Sequence, residues 1–211
     1  MKYFTKEELL AAPSRFRAHL INSCTGYKSC NLIATEDTYQ NTNLAIFNSV
    51  IHIGSNPPML GCIMRPLTVE RHTYDNMKET GYFTVNQVHY TDITSAHQTA
   101  AKYSKDTSEF DATGLTTEYL HDFKAPYVKS SPIKLGCKFM NEYLIKENNT
   151  LLLIGGIERV YLQEDILSED GWVQLDKAET ATCIGLDGYA LPKLLARFAY
   201  AKPDQEPKKI K

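Results

Sequence analysis

The sequence predicts a mainly β protein, a barrel or meander with helical insertions, and three observations predict it. Runs of strand-forming residues follow one another through the first half of the chain: HLINSCTG, SCNLIATED, NLAIFNSVIHIG and MLGCIMR, parted by Thr-Gly, Asp-Thr and Asn-Pro-Pro. A second block opens after Pro132, where IKLGCKFMNEYLIKENN sets Leu135, Cys137 and Phe139 on one face. It turns at residues 147–149 into TLLLIGGIERVYL, the form of a hairpin. Between the two blocks, residues 73–80 (TYDNMKET) read as a short helix closed by Gly81, and the strand YFTVNQV follows at once.

The other elements fall around this frame. Thr5 and Glu8 have the spacing of a capping box that opens a helix over residues 6–12, stopped by Pro13, and residues 1–18 form an N-terminal helical segment. Residues 91–102 and 108–113, the latter before Gly114, are two further helices. Gly155 and Gly156 inside a strand mean either a bulge or bend, or a close approach of backbone to another group. Asp170 and Gly171 turn the chain into the strand WVQL. With no internal repeat or linker, residues 19–203 read as one domain and residues 204–211 as a mobile tail.

Composition narrows the function classes. Apolar residues make up 43% and charged residues 23% of 211, the balance of an ordinary folded domain, and the net charge of −2 gives no basic surface for nucleic acid. No run of 18 apolar residues marks a membrane span, and the N-terminus lacks the apolar core of a signal peptide, so a cytoplasmic protein is expected. The cysteines Cys24, Cys30, Cys62, Cys137 and Cys183 are odd in number and scattered, which fits reduced core thiols better than a disulfide frame. The histidines form no ligand cluster, and no metal site is expected.

Two stretches carry the chemistry. The apolar run from Asn43 holds Asn43, Asn48, Ser49, His52 and Ser55, short hydrogen-bonding side chains that either bond neighbouring backbone or meet a ligand. Downstream, Arg71, His72 and Thr73 fall at a helix start, within reach of Arg65. Free N–H groups, the positive end of the helix dipole, a hydroxyl and cations together describe a phosphate site, unless Thr73 only caps the helix and the arginines are solvated. Neither a Rossmann nor a Walker glycine pattern is present.

The runs NLAIFNSVIHIGSNPPMLGCIMRP, ERHTYDNMKETGYFTVN, SEFDATGL, KAPYVKSSPIKLGCKF and IGGIERVYL, in this order over residues 20–203, resemble the flavin reductase-like proteins with an FMN-binding split barrel, the group that includes flavoredoxin. The resemblance implies a six-stranded Greek-key barrel with helical insertions and a homodimer that holds FMN near the subunit interface. It places Asn43, Ala45, Phe47, Asn48 and Ser49 along the isoalloxazine, and Arg65, Arg71, His72, Thr73 and Asn76 at the phosphate. Tyr189 is either a cover for the ring or a packed core tyrosine. Exposed strands such as FTVNQV supply edges that a dimer would cover.

Many relatives that pass reduced flavin to a monooxygenase carry Gly-Asp-His before the strand matched by LLLIGGIERV. Here the stretch reads Glu147, Asn148, Asn149. The resemblance therefore implies an FMN-dependent oxidoreductase, with NAD(P)H as an electron source, and leaves a rival: a flavoredoxin-type electron carrier with no NAD(P)H turnover, served by a redox partner protein. In both the flavin carries the chemistry, and no side chain is expected to act as a catalytic acid, base or nucleophile.

Overall fold

The computed structural model describes residues 1–210. In chain order the helices are α1 (Lys6–Ala11), α2 (Ser14–Cys24), α3 (His72–Thr80), α4 (Ile93–Gln98) and α5 (Glu109–Thr113). The strands are β1 (Lys28–Ser29), β2 (Asn31–Glu36), β3 (Thr42–Phe47), β4 (Val50–Ser55), β5 (Pro58–Met64), β6 (Tyr82–Gln87), β7 (Thr117–Glu118), β8 (Tyr127–Val128), β9 (Ile133–Ile145), β10 (Thr150–Leu162), β11 (Thr182–Ile184), β12 (Gly188–Ala190), β13 (Arg197–Phe198) and β14 (Lys209–Ile210).

Seven strands form one antiparallel sheet in the order β3-β2-β6-β9-β10-β5-β4. Its two edge strands, β3 and β4, are joined by only Asn48 and Ser49, so the sheet must curl until its edges face each other. Phe47 and Val50, the residues flanking that link, pack into the same core. Ile33, Leu60, Cys62, Phe83, Val85, Cys137 and Leu153 fill the barrel, while Leu32, Ala34, Leu44, Ala96, Phe110 and Val128 form a second core beneath α4 and α5. Successive residues of β2 therefore serve both cores, which is why that strand is apolar without alternation.

The barrel with helical insertions stands as expected, with seven strands in its sheet where six were expected, and several elements differ in detail. NLAIFNSVIHIG is two strands, because the chain must leave one edge of the curled sheet and enter the other at Asn48 and Ser49. HLINSCTG is not a strand: α2 runs through Cys24, so the helical segment passes residue 18. Pro13, with φ −50°, starts α2 after ending α1, and Asn22 donates to Ala18 O four residues back. Arg17 donates to the carbonyls of Leu9, Leu10 and Ala12, tying the two helices together. FTVNQV is no edge: β6 is third of seven strands. WVQL contributes only an isolated bridge, Val173 to Leu167, and the helix expected over 91–102 is confined to α4 after a 3-10 turn, Tyr90–Asp92. In the tail, β14 pairs with β13. Lys211 lies outside the described residues.

The β9–β10 hairpin turns where expected, and both readings of its glycines hold. The ladder shifts register between Ile154 and Gly155, and a Cβ on Gly155 would sit 2.5 Å from Phe83 Cζ in the barrel core. Among the described residues no helix is long and apolar enough to cross a membrane.

Candidate functional site

Helix α3 opens abruptly. Its N-cap is Arg71, whose side chain makes no cap hydrogen bond, so the N–H groups of the first turn have no intrahelical acceptor. Thr73 is therefore not the cap but the second helical residue; its Oγ1 accepts from Asn43 Nδ2 at 2.9 Å, fastening α3 to β3. Asn76 Nδ2 donates to Thr35 Oγ1 at 3.1 Å, fastening the same helix to β2. Gly81, at φ 76°, ends it in the left-handed conformation expected.

These tethers set α3 at the end of a cleft of about 460 Å³. One wall is β3 and the link to β4 (Ala45, Ile46, Phe47, Asn48, Ser49), one end is Ile63, Met64 and Arg65 with residues 69–73, and the far wall is residues 99–103. Of the ten residues read from the sequence, Ala45, Phe47, Asn48, Ser49, Arg65, Arg71, His72 and Thr73 line this cleft. Asn43 and Asn76 do not; they line a small polar cavity behind it with His72, Asp37 and Lys105, and reach the cleft only through what they hold.

The polar groups of the cleft are unevenly committed. Arg71 Nε is buried without a hydrogen-bond partner, and a buried cationic N–H left unpaired is costly unless an anion completes it. Ser49 Oγ donates to Ile63 O at 3.1 Å, so its proton is taken, whereas the Asn48 amide makes only a 3.5 Å contact with Gly185 O. Glu109, from α5, is buried, lines the cleft and accepts from Leu44 N at 2.8 Å. Burial raises its carboxyl pKa, opposed by that N–H and by His72. Because the N–H of Leu44 leaves the ladder toward Glu109, the two-residue period turns the N–H of Ile46 outward along the same edge, toward the cleft.

Tyr189 lies elsewhere. Its hydroxyl bonds His97 Nδ1 at 2.8 Å and its ring packs on the second core beside Cys30 and Cys183, so it is a packed tyrosine and not a wall of the cleft. Glu147, Asn148 and Asn149 form the hairpin turn and do not line the cleft either. Sequence reasoning missed Glu109 and residues 99–103, along with Ile46, Ile63, Met64, Val69 and Glu70. Glu109 carried a signal, an acidic residue in the first turn of a helix, but only the second core brings α5 against β3; residues 99–103 carried none.

The chain matches the flavin reductase like domain over residues 27–178. Among solved structures it is similar to a split barrel domain from Shewanella frigidimarina NCIMB 400, provisionally named a flavin reductase, at 46% identity and TM-score 0.92, with 95% of this chain and 100% of that one covered. It shares the fold of flavoredoxin of Desulfovibrio vulgaris (Miyazaki F), at 21% identity, TM-score 0.71, and 81% and 90% coverage. It also shares that of an FMN-binding protein from Thermus thermophilus, at 13% identity, TM-score 0.70, and 83% and 93% coverage. No curated protein matches.

Proposed function

The chain belongs to the flavin reductase-like family, and from that premise we propose that it is an FMN-binding oxidoreductase that passes electrons through the bound cofactor. The observation that carries the reading is the unpartnered Arg71 Nε beside the open first turn of α3. A cleft that ends in a half-buried arginine with one unpartnered N–H and in free helix N–H groups suits a flavin that carries a phosphate. Arg71, Thr73 and the first-turn N–H groups would hold the phosphate with Arg65, and His72 lies beside them. Ala45, Phe47, Asn48 and Ser49 would border the ring, Asn48 and the outward N–H of Ile46 acting as neutral donors.

When bound, FMN supplies hydride or single-electron chemistry. The chain's part is to hold and shield the group: Phe47, Ile46 and Met64 exclude water, and the donors of β3 face charge without bringing a counter-charge of their own. The proposal includes a homodimer and a cytoplasmic setting, the latter supported by the free, buried thiols Cys30, Cys62, Cys137 and Cys183.

A second reading rests on the hairpin turn. Glu147, Asn148 and Asn149 put no imidazole where relatives carry one, which favours a carrier that takes electrons from a redox partner protein and does not oxidise NAD(P)H itself. The absorption spectrum of purified protein with added FMN, followed by NADH and NADPH oxidation with FMN, riboflavin or ferric complexes, tests both. Turnover supports the oxidoreductase; bound FMN inert to both nucleotides supports the carrier; no flavin bound contradicts both.

A further inference from the structure

Glu109 is a carboxylate set between two polar spaces. It is 7% exposed, and it lines both the cleft and the small cavity behind it, as His72 does. A carboxylate this deeply buried is normally paired with a cation. Among the described residues Glu109 is in no ion pair; the Leu44 N–H that it accepts at 2.8 Å is neutral. Burial raises its carboxyl pKa, and that N–H and His72 only oppose the rise.

The carboxylate also adjoins the end of the cleft assigned to the phosphate. Leu44 follows Asn43 in β3, and Asn43 Nδ2 holds Thr73 Oγ1 at 2.9 Å. A single peptide therefore separates the group that holds Glu109 from the group that holds the start of α3. Along the same edge of β3 the next outward N–H belongs to Ile46, two residues or about 7 Å further on. A flavin on that edge, with its phosphate at α3, would neighbour Glu109 at both places.

The charges around Glu109 decide what such a ligand does to it. Across the cavity it faces Asp37, His72 and Lys105; across the cleft it faces Arg65, Glu70, Arg71, Lys102 and Tyr103. Of the elements packed on α5, β3 carries no charge and His97 of α4 is bonded to Tyr189, while Asp111 of α5 itself is exposed. Four Lys or Arg thus face three carboxylates, Glu109 included, so 4 − 3 leaves a net +1 with neutral His72. A phosphate brings nearly two negative charges and turns the balance to about −1, which one proton restores to neutrality. Glu109 is the carboxylate suited to take it. Asp37 accepts three N–H bonds, from the Tyr39 and Asn41 backbone and the Asn41 amide, which favour its ionised form, and Glu70 is exposed.

We propose that Glu109 takes a proton from solvent when a phosphate-bearing flavin fills the cleft, so that binding of the cofactor is tied to pH and to the charge of the ligand. The proposal rests on the flavin reading above and adds the residue through which the site answers the phosphate. It is tested by titrating FMN and riboflavin into the full-length protein and into Glu109→Gln across the range from about pH 5 to pH 8, where one proton changes affinity by at most about tenfold per pH unit. The variant should bind FMN at least tenfold more tightly than wild type at pH 8, an advantage that shrinks toward acid, and should gain far less for riboflavin. A second measurement needs no variant: infrared difference spectra of wild type at pH 7, with its glutamate carboxyls carbon-13 labelled, should show one protonated glutamate carboxyl appear when FMN is added. A protein that binds no FMN overturns the flavin reading and this proposal together. FMN binding without a new protonated carboxyl, a wild-type to variant affinity ratio that does not change with pH, or an equal gain for riboflavin overturns the role of Glu109 alone.

Discussion

Thr73 and Arg71 divide the work of the proposed anion site: one hydroxyl is already anchored by Asn43, while one guanidinium N–H is buried and waiting for an acceptor. Thr73→Asp places a carboxylate at the cleft wall. An acid in the first turn suits the helix dipole, and the Asn43 amide can still donate to it, so α3 persists by circular dichroism. Repulsion weakens FMN binding tenfold or more, about 1.4 kcal/mol, and riboflavin, which has no phosphate, loses far less. Equal losses in fluorescence titration would place the phosphate elsewhere. Glu109 is tested by pH. Its folded-state pKa is raised above the ordinary 4.5, so stability is lost as pH climbs from that value through the raised one. Glu109→Gln keeps an acceptor for Leu44 N–H without the charge. Its Tm should exceed wild type at pH 8, and the gain should fade as pH falls to the ordinary 4.5 and below; a pH-independent difference would show that packing, not ionisation, decides. That Arg71, His72 and Thr73 gather at a helix start was legible because a helix start has a local signature, whereas the bonds by which Asn43 and Asn76 tether α3 to β3 and β2 appear only in the third dimension.

At the scale of elements, Gly155 and Cys62 show how the barrel constrains its strands. Gly155→Ala drives a Cβ into Phe83 and should cost about 1–3 kcal/mol in denaturant unfolding, partly restored by Phe83→Leu, which removes the atom in the way. No change would mean that the core yields freely there. Cys62 is fully buried, and burial pushes its thiol up to about 12. Cys62→Ser buries a hydroxyl with no partner and should lose about 1–3 kcal/mol while leaving the flavin spectrum intact; a lost spectrum in a folded variant would put the cleft in the wrong place. The hairpin, α3 and α1 were readable because each is signalled within its own residues, by alternation, by Gly81 and by the Thr5–Glu8 box. Residues 19–24 were misread as strand because their apolar residues do not reveal that Arg17 and Asn22 bond backbone in a helical register. The break at Asn48 and Ser49 is imposed by barrel curvature, to which local propensity is blind.

Across the whole molecule, the cleft exists because the sheet curls on itself: the bare edge of β3, the end of β5, the start of α3 and residues 99–103 converge only when β3 and β4 face each other. That convergence could not be read from segments taken singly, and the barrel class could, because successive strands joined at four of the six links by short turns leave few other closures. The central claim is that the cleft is built around a flavin phosphate, and it is tested by titrating the wild-type protein with FMN and with riboflavin, each with and without inorganic phosphate. FMN should bind at least tenfold more tightly than riboflavin, and inorganic phosphate should weaken FMN more than riboflavin. Equal affinities for the two flavins, both indifferent to phosphate, would contradict it.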